Sequence, residues 1–323
     1  MPQDGPVIAV GPTPDAEFEA AVERGGGIVG SLDSPGSLHS TGSRGSSADA
    51  GEVDGLVWVD SASVPTDLPD SVRWVQLPFA GVEVFVESGL LERYPRVTFT
   101  SAAGAYSATV AEHALALLLA GVRGLWHRES AWEPRGAAGR VGRLGGSTVA
   151  IVGAGGIGRE LALQLRALGV KVIAVNRSGA EVPGAVVITA DRLDEVWPQV
   201  DHVVLAAPAT AETAALVNAE VLSRLAPHSW VINVARGSLI DTDALVAALR
   251  AGAIGGVGLD VTDPEPLPAG HPLWSIPNVI ITPHVANPPQ HLRPALLERV
   301  EVNVRRFANG MTPLAVVDRA RGY

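Results

Sequence analysis

Short continuous apolar runs, bounded by glycine, proline or acidic residues, recur along the chain. They alternate with stretches whose apolar positions fall three and four residues apart. Such runs read as buried strands, and the three-and-four spacing reads as helices with one apolar face. In the first hundred residues the pattern predicts strands at 7–10, 56–59, 74–77 and 97–100, and a helix at 15–24. Residues 34–50 are mainly Ser, Gly, Ala and Asp and read as a flexible surface loop. A helix predicted at 108–123 is apolar almost all round, which implies burial between domains or between subunits. The Gly- and Arg-rich stretch 133–146 reads as a connecting loop. Beyond it the alternation becomes regular, with strands predicted at 148–152, 170–175, 201–206, 229–234, 255–260 and 278–282 and helices between several of them. An amphipathic helix is predicted at 294–309. The pattern is that of an α/β protein with a doubly wound parallel sheet, preceded by a smaller α/β unit.

Composition narrows the function classes. A chain of 323 residues suggests two domains, and 47% hydrophobic residues supply sizeable cores. A net charge of −10 argues against nucleic acid as a partner. The absence of cysteine removes disulfides, thiolate nucleophiles and cysteine-held zinc, and no metal is expected. Lys171 is the only lysine, so a Walker lysine is missing; at the start of a predicted strand it reads as a solvated edge charge. The N-terminus lacks a basic segment followed by an apolar one, so no secretory signal is expected. The apolar stretch 110–122 is too short to span a bilayer and carries Glu112 and His113. A cytoplasmic enzyme or sensor with no membrane partner fits best.

The candidate chemistry starts at residues 148–158, where an apolar strand runs into G-x-G-x-x-G and then into a helical pattern. That context is what a dinucleotide-binding fingerprint requires. Gly153 would make the tight turn, Gly155 would let the backbone approach a pyrophosphate, and Gly158 would allow close helix–strand packing. The helix at 157–168 carries Leu161, Leu165 and Leu168 on one stripe, and its first amides would face the phosphates.

Three further motifs each sit at the end of a predicted strand: 232–237 with Arg236, 259–267 with Asp260 and Glu265, and 282–286 with His284. Ligands of open α/β sheets bind at those ends. An arginine, a carboxylate and a histidine there suit the reduction of a 2-keto acid. A protonated histidine supplies the proton, and an arginine holds the carboxylate and the developing alkoxide. A carboxylate beside the histidine favours its imidazolium form. Singly, Arg236 reads as a surface cation, Glu265 as a solvated acid, Asp260 as a strand cap and His284 as a satisfied loop histidine. Their joint occurrence at successive strand ends favours function.

The motifs at 110–117, 153–158, 232–237, 259–267 and 282–286, in that order, resemble those of the D-isomer-specific 2-hydroxyacid dehydrogenases over nearly the whole length. The resemblance implies a Rossmann cofactor domain at 102–285 and a smaller, discontinuous, flavodoxin-like substrate domain at 1–101 and 286–323. It implies that Arg236 binds the substrate carboxylate and carbonyl, that His284 is the acid/base beside the nicotinamide, and that Glu265 is its partner. Asp260 would contact the nicotinamide carboxamide, and Gly156 and Ile157 would give amides to the pyrophosphate. Val234 and Ala235 would line the cofactor. Ala207 and Pro208 would border its adenosine side, in a segment with smaller neighbours than the family's. The amides of Ala80 and Gly81 would grip the substrate carboxylate. Phe79, Tyr106 and Trp132 are aromatic candidates for the pocket, the core or an interface. A homodimer is also implied.

Cofactor choice is read at 175–178. Where an acid would accept bonds from the ribose hydroxyls of NAD, the chain has Asn176, followed by Arg177 and Ser178, both suited to a 2′-phosphate. NADP(H) is favoured, and NAD(H) stays open. The rival reading is a non-catalytic NAD(P)(H)-binding sensor or corepressor-like protein.

Overall fold

Two wholly parallel sheets organise the chain in the computed structural model, which describes residues 5–32, 52–60, 62–127, 132 and 140–322. The stretch 34–50 and residues 133–139 of the expected connecting loop lie outside these. By its contacts the chain divides into two compact units, Met1–Ala105 with Pro289–Tyr323, and Tyr106–Pro288. The boundaries expected from sequence lie four and three residues earlier.

The first unit holds β1 (Val7–Gly11), β2 (Ile28–Gly30), β3 (Gly55–Trp58), β4 (Trp74–Gln76) and β5 (Thr98–Thr100), ordered β2-β1-β3-β4-β5. That order is flavodoxin-like. β2 escapes the sequence pattern because it is a three-residue, half-buried edge strand and offers no continuous apolar run. The helix Ala16–Arg24 starts at Asp15, whose carboxylate accepts from the amides of Glu17 and Phe18. The C-terminal helix Pro289–Ala308 returns to this unit. It begins before the predicted 294, with Pro294 inside it, so only the amide bond that residue 294 would donate is missing. Arg293 pairs with Asp15 and Glu17, and Arg24 with Glu301. Inside, Asn303 donates to Gln76 at 2.8 Å and accepts from the Leu314 amide at 2.7 Å, tying the returning chain to the sheet.

The second unit holds β6 (Thr148–Val152), β7 (Lys171–Asn176), β8 (Val186–Thr189), β9 (His202–Leu205), β10 (Trp230–Asn233), β11 (Gly256–Leu259) and β12 (Val279–Ile281). Their order, β12-β11-β10-β9-β6-β7-β8, is the doubly wound arrangement with one further strand. β8 is the other strand the sequence pattern misses, again a half-exposed edge. The apolar helix Ser107–Val122 buries Val110, Ala111, Ala114, Leu117 and Leu118. It packs against β10, β11 and the helix Gly156–Ala167, so its apolar character serves the unit's own core. In Gly156–Ala167, Leu161 and Leu165 are fully buried, but Leu168 lies past the helix end and is 44% exposed. Trp132 is 95% exposed, so it belongs to neither core. Among the described residues no helix is long and apolar enough to cross a membrane.

Candidate functional site

Because all seven strands of the second sheet run the same way, the loops after β6, β7, β9, β10, β11 and β12 emerge at one edge. The chain winds outward through β7 and β8, then returns to place β9 on the other side of β6. The crevice at such a reversal is where open α/β sheets take ligands. The two loops nearly touch there: a Cβ on Gly153, whose φ is +98°, would stand 2.4 Å from the Ala207 nitrogen. Gly158 is just as tight, since a Cβ would meet the Gly153 carbonyl oxygen at 2.5 Å. Gly155, by contrast, has open space where its Cβ would be and caps the helix Gly156–Ala167 without a side-chain bond. The first amides of a twelve-residue helix therefore face an uncrowded opening, which fits a pyrophosphate.

At the end of β7 the Asn176 amide donates to the Ala180 carbonyl at 2.8 Å, and Ser178 Oγ donates to Asn176 Oδ1 at 3.4 Å. Asn176 thus also braces its own turn. Arg177 and Ser178 are exposed. Ala207 is half-buried and Pro208 exposed.

After β10, the buried Asn233 shapes the next loop. Its Oδ1 accepts from the Ala235 amide at 3.0 Å and its Nδ2 donates to the Arg236 carbonyl at 2.8 Å. Val234 and Ala235 are buried, and Arg236 is half-buried with Nη1 donating to the Ala235 carbonyl at 2.7 Å. A Cβ on Gly237 would strike the Thr262 carbonyl at 2.0 Å, so the Arg236 loop lies directly against the Glu265 loop.

Glu265 Oε1 and His284 Nδ1 are 2.7 Å apart, while Glu265 Oε2 accepts from the Thr262 amide at 3.2 Å. A carboxylate on Nδ1 assigns the proton there, which leaves Nε2 as the edge open to a ligand. His284 has a φ of +53°, a left-handed conformation that histidine adopts more readily than most residues.

Asp260 is 2% exposed, and its carboxylate is committed to the His284 segment. Oδ1 accepts from Thr282 Oγ1 at 2.6 Å and the Val285 amide at 2.9 Å, and Oδ2 accepts from the Ala286 amide at 3.0 Å. The Asp260 carbonyl takes the His284 amide at 2.8 Å. Burial alone would raise the carboxyl pKa, but the bonds from His113, Thr282, Val285 and Ala286 outweigh it and hold the group at about 2. A carboxyl depressed in the folded state stabilises the fold fully above its unfolded pKa near 3.8 and loses that contribution as pH falls toward 2. The shift is worth about 2 kcal/mol. Denaturant unfolding of wild type and Asp260→Asn should therefore differ most above pH 4, and the difference should shrink by about that amount on acidification to pH 2. A gap independent of pH would mean Asp260 is not the anchor described.

Ala80 and Gly81 belong to the first unit, in the half-buried turn between β4 and the helix Glu83–Glu87. Sequence reasoning did not single out Asn233, His113 or Thr282. Asn233 acts within its own loop, whereas His113 and Thr282 gain a role through partners distant in the sequence.

Residues 115–286 match the family model described as D-isomer specific 2-hydroxyacid dehydrogenase, NAD binding domain. The chain is 40% identical over 280 residues to an uncharacterized protein in the proB 3′ region of Corynebacterium melassecola, covering 85% of this chain and 91% of that one. It is 32% identical over 281 residues to a glyoxylate reductase of Thermococcus onnurineus, covering 83% and 84%. Among solved structures it resembles a D-isomer specific 2-hydroxyacid dehydrogenase from Xanthobacter autotrophicus Py2 in complex with NADPH and MES. There the TM-score is 0.76 and the identity 29%, over 99% of each chain.

Proposed function

Because the chain belongs to the D-isomer-specific 2-hydroxyacid dehydrogenase family, we propose that it works as a reductase of small 2-keto acids, glyoxylate among them, with NADPH as the preferred cofactor. The observation that carries the reading is the 2.7 Å pairing of His284 with Glu265 at the strand ends of a dinucleotide-binding sheet.

A bound nicotinamide would supply the hydride. His284, oriented through Nδ1 by Glu265, presents Nε2–H to the carbonyl oxygen and delivers the proton. Arg236 holds the substrate carboxylate and the oxygen that gains charge. The family resemblance assigns the amides of Ala80 and Gly81 to the substrate carboxylate as well. In the reverse direction His284 takes the proton from the hydroxyl. Gly155, Gly156 and Ile157 would receive the pyrophosphate, and Ala207, Pro208, Val234 and Ala235 would line the cofactor. This division of labour makes Met1–Ala105 with Pro289–Tyr323 the substrate domain and Tyr106–Pro288 the cofactor domain. A homodimer belongs to the same reading, since Leu115 and Leu119 remain only partly covered on a largely apolar helix. A purely sensory, non-catalytic role is not favoured with Arg236, Glu265 and His284 all present. Cofactor oxidation across a panel of 2-keto acids tests the reading; no turnover with any of them would overturn it.

The cofactor preference has its own test. Asn176 carries no charge to repel a 2′-phosphate, and the exposed Arg177 can pair with one. Wild type should favour NADPH over NADH in kcat/KM by about 10–100-fold at low salt, the worth of one hydrogen bond to a charged group. The advantage should weaken with ionic strength. Asn176→Asp with Arg177→Ala should move preference toward NADH. Equal use of both cofactors by wild type, or an unchanged ratio in the double variant, would refute this.

A further inference from the structure

The helix Ser107–Val122 carries one ionisable ring into the neighbourhood of the His284 segment. His113 Nε2 lies 2.9 Å from Thr282 Oγ1 and 3.4 Å from Asp260 Oδ1. Thr282 has a single hydroxyl proton, and the 2.6 Å contact to Asp260 Oδ1 uses it. Its oxygen can therefore only accept from His113, which places the His113 proton on Nε2. The result is a directed chain, His113 Nε2–H to Thr282 Oγ1–H to Asp260 Oδ1. Asp260 in turn takes the amides of His284, Val285 and Ala286. Every residue from Thr282 to Ala286 except Pro283 is thus bonded to Asp260, and His113 ties that assembly to a helix packed on Gly156–Ala167.

We propose that His113 is a positioning residue for the reaction: through Thr282 and Asp260 it fixes the left-handed turn that aims the His284 imidazole. The proposal rests on the reading of His284 as the acid/base. A left-handed backbone at a residue with a side chain persists only where the surroundings over-determine it. Here the determinant is the Asp260 clamp, and one of the groups that orients its carboxylate comes from another element altogether. With His113 removed, the Thr282 hydroxyl loses its donor and gains freedom to rotate. The two flanking amides then hold a carboxylate that is no longer fixed, and the imidazole drifts while Glu265 still pairs with it.

Displacement of a reacting group by an ångström costs on the order of 10²-fold in rate. His113→Phe should lower kcat for the best keto acid by about 10–100-fold while NADPH affinity, read by fluorescence titration, stays at the wild-type level. His113→Gln, which carries an N–H donor to about the same reach, should recover most of the loss. In a His284→Ala background, His113→Phe should cost nothing more, because the group it positions is gone. Full kcat in His113→Phe, or a loss of equal size with and without His284, would overturn the proposal. Should the phenylalanine variant fail to fold, Thr282→Val breaks the same link and carries the same comparison. If His284→Ala itself turns over like wild type, it is the acid/base reading that falls.

Discussion

Removing the His284 imidazole lowers turnover by about 10²–10⁴-fold, the usual worth of a positioned general acid, and leaves NADPH affinity close to wild type. The separation of the two effects is the informative part. The imidazole sits just past β12 with Nδ1 held by Glu265, and the opening at Gly155 that we assign to the pyrophosphate is built from a different loop. Alanine alone would confuse chemistry with backbone, because position 284 is left-handed. Asparagine tolerates that conformation better, so His284→Asn should match His284→Ala in turnover and preserve stability more fully. Steady-state kinetics with cofactor titration reads both quantities. Wild-type-like turnover in either variant would remove His284 from the mechanism.

Arg236→Lys is expected to lower kcat/KM by about 10²–10³-fold although the charge is kept, comparable to loss of one donor aimed at a developing oxyanion. Two features make lysine a poor substitute. The planar fork of arginine serves a carboxylate and a neighbouring oxygen at once, which a single ammonium cannot. The guanidinium also donates to the Ala235 carbonyl at 2.7 Å, so it is oriented before any ligand arrives. Asn233 fixes the backbone on both sides of that carbonyl. Comparing a keto acid with the corresponding aldehyde lacking the carboxylate localises the loss. Unchanged catalytic efficiency with the acid would make Arg236 structural.

What the sequence announces is local. The glycines at 153, 155 and 158 can be read because strand, turn and helix are contiguous. Arg236, Glu265 and His284 can be read because each lies in the loop that follows an apolar run, and the ends of parallel strands share an edge. The pairing of Glu265 with His284 spans nineteen residues and is anticipated by residue type. The His113–Thr282 contact spans 169 residues, and nothing in either segment points to the other. His113 lies within the motif at 110–117, but its residue type by itself reads as a polar interruption of an apolar helix. β2 stays hidden because Ile28 and Val29 stand alone among glycines, whereas β8 does carry an apolar run, Val186-Val187-Ile188, too short by itself to distinguish a strand from a loop. Leu168 misleads in the opposite sense: the leucine spacing continues past the point where the helix stops, and helix ends fray over a residue or two. At the end of β7, residue type suggests a phosphate contact, but only the fold reveals that Asn176 is also bonded to its own turn.

The return of Pro289–Ala308 to the first unit sets an order of events during synthesis. A chain emerging from the ribosome tends to fold domain by domain from its N-terminus. Here the N-terminal residues appear first yet cannot finish, because the partners of Asp15, Arg24 and Gln76 are Arg293, Glu301 and Asn303. Tyr106–Pro288 is uninterrupted and holds all seven strands of its own sheet, so it can complete while the earlier segment still waits. The nascent chain therefore carries an unfinished first unit, with the bond from Asn303 to the buried Gln76 still to form, through most of its translation. The stretch left open in that interval is the one whose completion waits for residues 289–308.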